Sequence, residues 1–529
     1  MLAHKLQVEE HDLFFPVREL FDNIMNSATA QATNHMTASE LEISYKEQFL
    51  NLARLTLQAK LNMIGSLEAE TVVKDIDGVE RPRKKLRERT IGTTLGDVTY
   101  ERWGYSAEKG FSLFPADGHL NLPPEKYTHE LRRLVGEDVT RSSYDETLEF
   151  LARRTAATVP KRQGLELVNR AAEDFVDFYD HRAKTPEDAD SAVSSKETSS
   201  LLIVTTDGKG VVMRLEGLRE ATRQAAEKEQ HKHKKRLTAG EKKDRKRMAQ
   251  VASVYTIAPH VRTAEDIAGY APVVEGKEKP PRPEAKRVWA SVEREPDQVI
   301  QEMFQEAQAR DPRHEKQWIG LVDGNPKQLR LLKEQATAFA VTLIIIIDFI
   351  HVLEYLWKAS HVFYKQGDPR CEQFVSERLF QVLQGQSNQV AKGILTLVTE
   401  LDLSKKKRKP VDTCASYLLK YEEYLRYDQY LAQGLPIATG VIEGACRYLV
   451  KDRMDITGAC WGLSGAEAVL RLRSLRVSGD FDEYWSYHVK MEQERNHSSK
   501  YDHGLPPLRN NDAKAGCPKS RGHLRLVKG

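Results

Sequence analysis

The chain has 529 residues, of which 40% are hydrophobic and 30% are charged, and its formal net charge is only +3. The length exceeds that of one ordinary domain, so we expect three or four units, and the small net charge gives no sign of a nucleic-acid partner by itself. The five cysteines include no CxxC pair, and the longest mostly apolar run (341–347) is too short to cross a bilayer, so the sequence signals no zinc motif, disulfide framework or membrane span and favours an intracellular location.

The N-terminal region predicts helix first and a β-hairpin next. Thr37 and Glu40 have the spacing of a capping box and begin a long amphipathic stretch. A basic run, 81–89, then leads into a predicted hairpin, 90–105, in which Gly96-Asp97 would form the turn.

Helical signals return at 126–183. Ser143 and Glu146 again have capping-box spacing, and Pro160 suits the first turn of a following helix. This order of helices is similar to a helix-turn-helix arrangement, and an ordinary helical bundle explains the pattern at least as well. The Ser-, Thr-, Asp- and Pro-rich stretch 184–200 is predicted to be a linker.

The pattern changes at residue 201, where short apolar runs predict a mixed α/β sheet. The first strand, 201–206, ends at Asp207, and a turn at 208–210 would join it to a second strand at 211–215. Three further strands are predicted, at 251–257, 318–322 and 343–347. Helices are expected after the last two strands, which gives the alternation of an α/β fold.

Acidic residues stand where such strands end. Asp207 and Asp323 each follow an apolar strand, and Glu443 begins a helix after a Gly- and Pro-containing loop. Two or three carboxylates from separate elements are the minimal protein ligand set for the two divalent cations that assist phosphoryl transfer on DNA. The competing interpretation is that Asp-Gly ends strands because it forms turns, and for any one site alone that interpretation is the stronger.

Two neighbouring groups add to this set. Asp348 ends the last predicted strand and His351 lies one helical turn later, where a packing or hydrogen-bonding role is the stronger interpretation because no second His or Cys is placed to join it as a ligand. Arg447 and Lys451 follow Glu443 at i+4 and i+8, which fits a metal site beside a DNA backbone. A simple helical ion pair between Glu443 and Arg447 is the alternative.

A strongly basic segment lies at 231–250, with nine Lys or Arg residues against two acidic ones. Backbone phosphates attract such clusters through counterion release, whereas a solvated charge run is the common alternative. The expected phosphate contacts are Lys234, Lys235, Arg236, Lys242, Lys243, Arg245, Lys246 and Arg247, together with Arg447 and Lys451.

Six sequence runs together resemble one family, the ISKra-type insertion-sequence transposases. These runs are TTDGKGVVMR (205–214), GEKKDRKRMAQVASVYTIAP (240–259), WIGLVDG (318–324), DFIHVLEYLW (348–357), IEGACRYLVKDRM (442–454) and RLRSLR (471–476). Their order and spacing cover 201–476, about half of the chain.

The resemblance implies a DDE transposase with an RNase H-like catalytic core, in which Asp207, Asp323 and Glu443 hold two Mg²⁺ or Mn²⁺ ions. It also implies that Asp348 and His351 are an accessory pair near the site. It implies hydrolysis at the element ends and attack of the freed 3′-hydroxyl on target DNA. The expected partners are double-stranded DNA, both terminal inverted repeats and target, and further copies of the chain in a homo-oligomer on that DNA. No membrane partner is expected, and the location would be the bacterial cytoplasm, in association with the nucleoid.

Two other functions stay open at this point. The first is an RNase H-like nuclease or resolvase that cuts without joining. The second is a catalytically silent, transposase-derived DNA-binding protein, against which the three intact carboxylates argue.

The sequence therefore predicts a chain of eight segments with the catalytic core in two parts. In order they are a helical region (1–80), a basic segment with the β-hairpin (81–125), a helical, helix-turn-helix-like DNA-binding region (126–183), a linker (184–200), the first part of the core (201–364), a helical insertion (365–435), the second part of the core (436–478) and a basic C-terminal tail (479–529).

Overall fold

The structure is a computed structural model that describes residues 12–30, 35–184, 199–228, 239–270, 279–504 and 506–507. The chain divides into two compact units, the first built from Met1–Asp174 and Asp482–Gly529 and the second from Phe175–Phe481. Within the described ranges, no helix has both the length and the apolar character needed to cross a bilayer.

The first unit begins with helices α1 (Phe15–Thr29) and α2 (Ala38–Gly65). The predicted capping box starts α2, because the Thr37 hydroxyl accepts a hydrogen bond from the Glu40 amide and the Glu40 carboxylate accepts one from the Thr37 amide at 2.8 Å. This reciprocal pair satisfies two backbone donors that a helix start otherwise leaves free.

A two-stranded antiparallel hairpin follows, formed by β1 (Arg83–Thr93) and β2 (Gly96–Ser106). The predicted hairpin is present but longer, and its predicted turn is wrong. Gly96 already pairs with Thr93, so the turn lies at 94–95 and most of the basic run belongs to β1. The Thr93 hydroxyl donates to the Gly96 carbonyl at 2.8 Å, and Gly96 has a φ of 105°, which a glycine adopts without strain.

Short helices complete this part of the first unit. They are α3 (Pro115–His119), α4 (His129–Val139), α5 (Tyr144–Arg154) and α6 (Lys161–Ala171). Ser143 and Glu146 form the predicted capping box of α5. Pro160 precedes α6 instead of lying in its first turn.

The second unit opens with α7 (Phe175–Lys184) and contains a mixed five-stranded sheet. Its strands are β3 (Leu201–Val212), β4 (Lys246–Ile257), β5 (Glu284–Ser291), β6 (Gln317–Val322) and β7 (Leu343–Ile347), in the order β5-β4-β3-β6-β7. β4 runs antiparallel to both β3 and β5, whereas β6 is parallel to β3 and β7 is parallel to β6. The predicted mixed α/β class is confirmed.

Two strand predictions fail. The predicted turn at 208–210 does not form, because β3 continues through it and pairs with β4 along its whole length. Gly208 and Gly210 lie where an added Cβ would come within 3.0 Å of Met248 and 2.8 Å of Lys246, so glycine lets β4 side chains approach closely. The strand β5 was not predicted, because its buried part, after the prolines of 280–283, is only four residues long.

Helices surround the sheet and fill the long connection after β7. Those that precede the helical insertion are α8 (Glu220–Lys228), α9 (Ala239–Asp244), α10 (Ala264–Ala268), α11 (Pro296–Arg310), α12 (Pro326–Ala338) and α13 (Phe349–Phe363). The predicted helical insertion consists of α14 (Pro369–Leu383), α15 (Ser387–Glu400), α16 (Lys405–Lys420) and α17 (Tyr427–Ala432). The basic run 405–409 begins α16 instead of interrupting the helices.

The chain then returns to the sheet through a helix of changing pitch. The segment starts as α18 (Gly440–Ala445), continues as a π-helical turn (Cys446–Lys451) and ends as α19 (Asp452–Met454). After it, α20 (Leu463–Ser478) packs against β5.

The last helix, α21 (Phe481–Asn496), belongs to the first unit from Asp482 onward, although 479–529 was predicted to be a basic tail. Its buried side chains include Tyr484, His488 and Glu492, at spacings of four residues. Glu492 accepts a hydrogen bond from Arg132 of α4 at 2.8 Å. Because two of these three buried positions are polar, hydrophobic periodicity does not reveal the helix.

Candidate metal centre

Asp207 lies inside β3, opposite Val251 of β4, and not at a strand end as predicted. Pairing of β3 with β6 stops at Thr205, so Asp207 lies two residues beyond the last residue of β3 that pairs with β6. One carboxylate oxygen accepts the Gly208 amide at 2.6 Å, and the other lies 3.2 Å from the Cys446 thiol sulfur. Burial, and next the charge of Asp207, raises the pKa of the Cys446 thiol, so the thiol stays protonated and donates this bond.

Asp323 follows β6 directly and faces Asp207. Its carboxylate accepts one backbone hydrogen bond, from Asn325 at 2.9 Å, and Asn325 caps the start of α12. The Tyr417 hydroxyl of α16 donates to the Asp323 carbonyl oxygen at 2.9 Å. Burial raises the pKa of the Asp323 carboxyl, and the negative charge of Asp207 raises it further.

Asp348 follows β7 and is fully buried. Its carboxylate accepts hydrogen bonds from the Thr439 amide at 2.9 Å, from the Ile350 amide at 3.3 Å and from the His351 ring at 3.1 Å. Burial alone would raise the pKa of Asp348, but these hydrogen bonds, led by that of His351, lower it below its ordinary value. The Asp348 carboxylate is therefore well supplied with hydrogen-bond donors, and it caps the N-terminus of α13.

Glu443 reaches the same place from α18, and its side chain is exposed. The Thr439 hydroxyl donates to the Glu443 carboxylate at 3.2 Å, while the Thr439 amide donates to Asp348, so one residue links both acids. Partial desolvation of this carboxyl by the surrounding protein, followed by the charge of Asp348, raises the pKa of Glu443.

These residues form one group, the acidic cluster, defined as Asp207, Asp323, Asp348, His351 and Glu443. Ligand atoms of Asp348, His351 and Glu443 all lie within 4.8 Å of one another. Asp323 interacts electrostatically with both Asp207 and His351. Burial is the first cause of the raised pKa values of Asp323 and Glu443, and the negative charges of Asp207 and Asp348 add to it. A divalent cation bound by these oxygens would offset that added repulsion.

The structure thus brings the three predicted carboxylates and the predicted accessory pair together. The trio closest to one another, however, includes the accessory pair and excludes Asp207 and Asp323. Sequence reasoning missed Thr439, Cys446 and Tyr417, which contact the cluster. The position of Cys446 three residues after Glu443 was the one available signal, because i+3 side chains share a helix face.

The predicted phosphate contacts have different environments. Lys234, Lys235 and Arg236 lie outside the described residues. Lys243 and Lys246 are exposed and Lys242 is half-buried. Arg245 is buried, and the Arg247 guanidinium donates to the carbonyls of Val292 at 2.6 Å and Gly217 at 3.2 Å, so neither is available to DNA in this conformation.

Arg447 and Lys451 are both exposed, as a phosphate contact requires. The alternative Glu443–Arg447 ion pair does not form among the described residues, and the Arg447 guanidinium lies 3.9 Å from the Asp452 carboxylate instead. The π-helical turn that begins at Cys446 replaces the i+4 pattern with i+5 and rotates the following residues relative to Glu443.

No protein-family model matches the chain, and no curated protein matches it. The family resemblance of the six sequence runs therefore stays an expectation. The case for a function rests on the acidic cluster and the sheet that positions it.

Proposed function

We propose that the chain is a DNA transposase that cleaves and joins insertion-sequence ends by two-metal phosphoryl transfer. One observation carries the proposal. Carboxylates from an internal strand position, from a strand end and from a helix after a long insertion converge in a single cluster, although 120 residues separate the second from the third. Turn formation explains an isolated Asp-Gly, but it does not explain this convergence.

The sheet supports an RNase H-like core for this transposase. The strands β3, β4 and β5 follow one another in the chain and pair in antiparallel fashion. On the other edge of β3, the parallel strands β6 and β7 extend the sheet. This topology places β3 at the centre of the sheet, with Asp207 on it and Asp323 after its parallel neighbour. Sites of open α/β sheets form beyond the carboxyl ends of such parallel strands.

The donor set fits a hard divalent cation. Asp207, Asp323 and Glu443 would hold two Mg²⁺ or Mn²⁺ ions, and Asp348 with His351 would border them. When bound, such ions make the attacking oxygen nucleophilic and stabilise the leaving 3′-oxygen. Asp348 orients His351 through its 3.1 Å hydrogen bond, and this bond raises the pKa of His351 so that the ring is more readily charged beside phosphate.

Double-stranded DNA is the proposed partner, both as inverted repeats and as target, with further copies of the chain bound to it. Lys242, Lys243 and Lys246, and Arg447 with Lys451, would neutralise phosphate charge near the acidic cluster.

The decisive experiment supplies the purified chain with a duplex that carries one inverted repeat of its own element and with a target plasmid. We expect strand cleavage and joining in Mg²⁺ or Mn²⁺, and none in EDTA. Ca²⁺ should not replace these ions, because its looser coordination misaligns the in-line attack. The Asp323→Asn variant is the matched control and should give neither product.

The outcomes separate the alternatives. Cleavage without joining would assign an RNase H-like nuclease or resolvase. Specific binding without cleavage in any divalent metal would assign a silent DNA-binding protein. Robust cleavage in EDTA would overturn the two-metal mechanism.

A further inference from the structure

The outer half of β1 is a row of exposed, mainly basic side chains. All six residues of 83–88 are exposed, and four of them are cationic (Arg83, Lys84, Lys85 and Arg87) against one acid, Glu88. We refer to 83–88 as the basic ribbon. A strand in which both faces remain exposed buries little of its own surface, so packing does not account for its charge.

Two of these cations lack an acidic partner. Arg83 lies 3.5 Å from Glu108 and Lys84 lies 2.6 Å from Glu68, with all four side chains substantially exposed. Within the described ranges, no carboxylate pairs with Lys85 or Arg87. Surface pairs contribute little, so most of the positive charge of the ribbon is available to a partner.

The ribbon is held on a rigid base. Next to it, Arg89 and Arg102 both form ion pairs of 2.9 Å with the buried Asp117, and the Tyr100 hydroxyl donates to Asp117 at 2.7 Å. The β2 strand packs against α2 through a core that includes Leu61. Among the described residues, β2 is the one strand that pairs with β1, and none pairs with its outer edge along the ribbon.

The helices predicted to read DNA have a different charge pattern. On α6, Lys161 lies 2.7 Å from Asp145, and Arg162 lies 3.3 Å from Glu166. On α5, Arg153 contacts Glu149. These cations have internal partners, whereas Lys85 and Arg87 have none in the described part of the chain.

We infer that the basic ribbon binds the phosphate backbone of double-stranded DNA. Alternate residues of a strand point to the same side about 7 Å apart, which places Arg83, Lys85 and Arg87 in a row that can follow successive phosphates of one strand. A two-stranded ribbon also fits the width of the major groove. This inference rests on the proposed function, because it assigns the DNA of the proposed transposase a second binding element. That element is far in sequence from the acidic cluster.

The test measures binding of fluorescein-labelled duplex DNA by anisotropy between 50 and 200 mM salt, in EDTA so that no strand is cut. We expect Lys85→Gln/Arg87→Gln to weaken binding about tenfold and to reduce the slope of log K against log salt by about 1.8, since each lost phosphate contact removes about 0.9. The charge-preserving Lys85→Arg/Arg87→Lys variant should keep the slope of the wild type.

The matched control is Lys161→Gln/Arg162→Gln, which removes two positive charges from the same unit and should leave the slope unchanged. If the salt slope falls in this control and not in the ribbon variant, α5 and α6 bind the DNA backbone and the inference is overturned. If the wild type binds DNA and all variants bind equally, the ribbon has no role while the proposed function stands. If the wild type does not bind DNA at any salt concentration, both fail.

Discussion

Asp323 and Asp348 both follow an apolar strand, yet their carboxylates are in opposite situations. Asp348 accepts hydrogen bonds from two backbone amides and one ring nitrogen, whereas Asp323 accepts one from Asn325 and faces the negative Asp207. A carboxylate with its oxygens already satisfied gains less from a cation than one with an uncompensated charge. For this reason we expect Asp323, rather than Asp348, to be the metal ligand.

Isosteric substitution separates the two acids. We expect Asp323→Asn to abolish cleavage and to leave thermal stability unchanged or slightly raised, because it removes repulsion with Asp207. Asp348→Asn should lower stability by about 1–3 kcal/mol, because the buried carboxylate loses its charge-assisted bonds, while some cleavage survives. Cleavage rates and melting curves of both variants test this. A folded, inactive Asp348→Asn beside an active Asp323→Asn would require a new assignment.

Cys446 holds Asp207 through the thiol that lies 3.2 Å from its carboxylate. We expect Cys446→Ala to raise the Mg²⁺ concentration for half-maximal cleavage by roughly tenfold, since residues that orient ligands typically change metal affinity by that factor or more. Cys446→Ser should need a Mg²⁺ concentration between those of the wild type and Cys446→Ala, because its hydroxyl can still donate a hydrogen bond to Asp207. Cys414→Ala, at a buried cysteine of the insertion, is the control. An equal Mg²⁺ dependence in all of them would show that the thiol only fills space.

The sequence predicted the cluster residues that a local rule can find. Asp323 and Asp348 follow apolar runs, and this signal is contained in a few neighbouring residues. Thr439 and Cys446 were missed because their roles depend on partners 91 and 239 residues away in the chain. No periodicity records such a distance.

At the scale of elements, glycine caused the main error in the sheet. Gly208 and Gly210 flank Lys209, a pattern that favours a turn, but β4 provides a partner for every residue of β3 through Val212. A long antiparallel partner therefore overrode the local turn preference. The helical predictions succeeded where caps were explicit, as at α2 and α5, because a capping box is a local and specific signal.

The basic segment next to β4 contains cations that bond to the protein backbone and others that are exposed to solvent. We expect Lys242→Gln/Lys243→Gln/Lys246→Gln to weaken DNA binding and to lower its salt dependence, with little change in stability, since these side chains are not deeply buried. Arg247→Gln should instead lower the melting temperature, because its guanidinium bonds to Val292 and Gly217 are lost. Binding isotherms and melts of both variants decide the point, and an unchanged salt slope in the lysine variant would contradict it.

Helix α21 is joined to α4 by a buried ion pair. Burial alone would raise the pKa of Glu492, but the charge of Arg132 and its hydrogen bond lower it to about 2. A carboxylate with a lowered pKa contributes stability that is present above its ordinary value of 4.5 and is lost as the pH falls towards 2. We therefore expect Glu492→Gln to lower the free energy of unfolding by roughly 3–5 kcal/mol near pH 7. On acidification, the free energy of unfolding should fall less in this variant than in the wild type.

Chemical denaturation at pH 7 and pH 3 measures this difference, with the exposed Glu494→Gln of the same helix as control. If the free energy of unfolding fell equally between pH 7 and pH 3 in the wild type and in Glu492→Gln, the Arg132–Glu492 ion pair would not be the source of the pH dependence.

At the scale of the whole molecule, the chain comprises two compact units. We expect calorimetry to resolve two transitions, because units of this size commonly unfold as separate cooperative blocks. Mg²⁺ should raise only the transition of the unit with the five-stranded sheet, since a ligand stabilises the state that binds it. Asp207→Asn should abolish that shift. A shift of both transitions, or one that survives the substitution, would place the metal elsewhere.

The position of Asp207 within a paired strand has a consequence for how the centre can adapt. Its backbone is fixed by the register with Val251, while Asp323 begins a connection and Glu443 follows a loop that ends at Gly440. One side of the centre is thus held in a paired strand, whereas the other side is supplied by connections between elements. We expect tolerance for substrates of different shape to come from these connections, so variants with changed target choice should cluster around 323–325 and 434–443, and β3 should accept almost no substitutions.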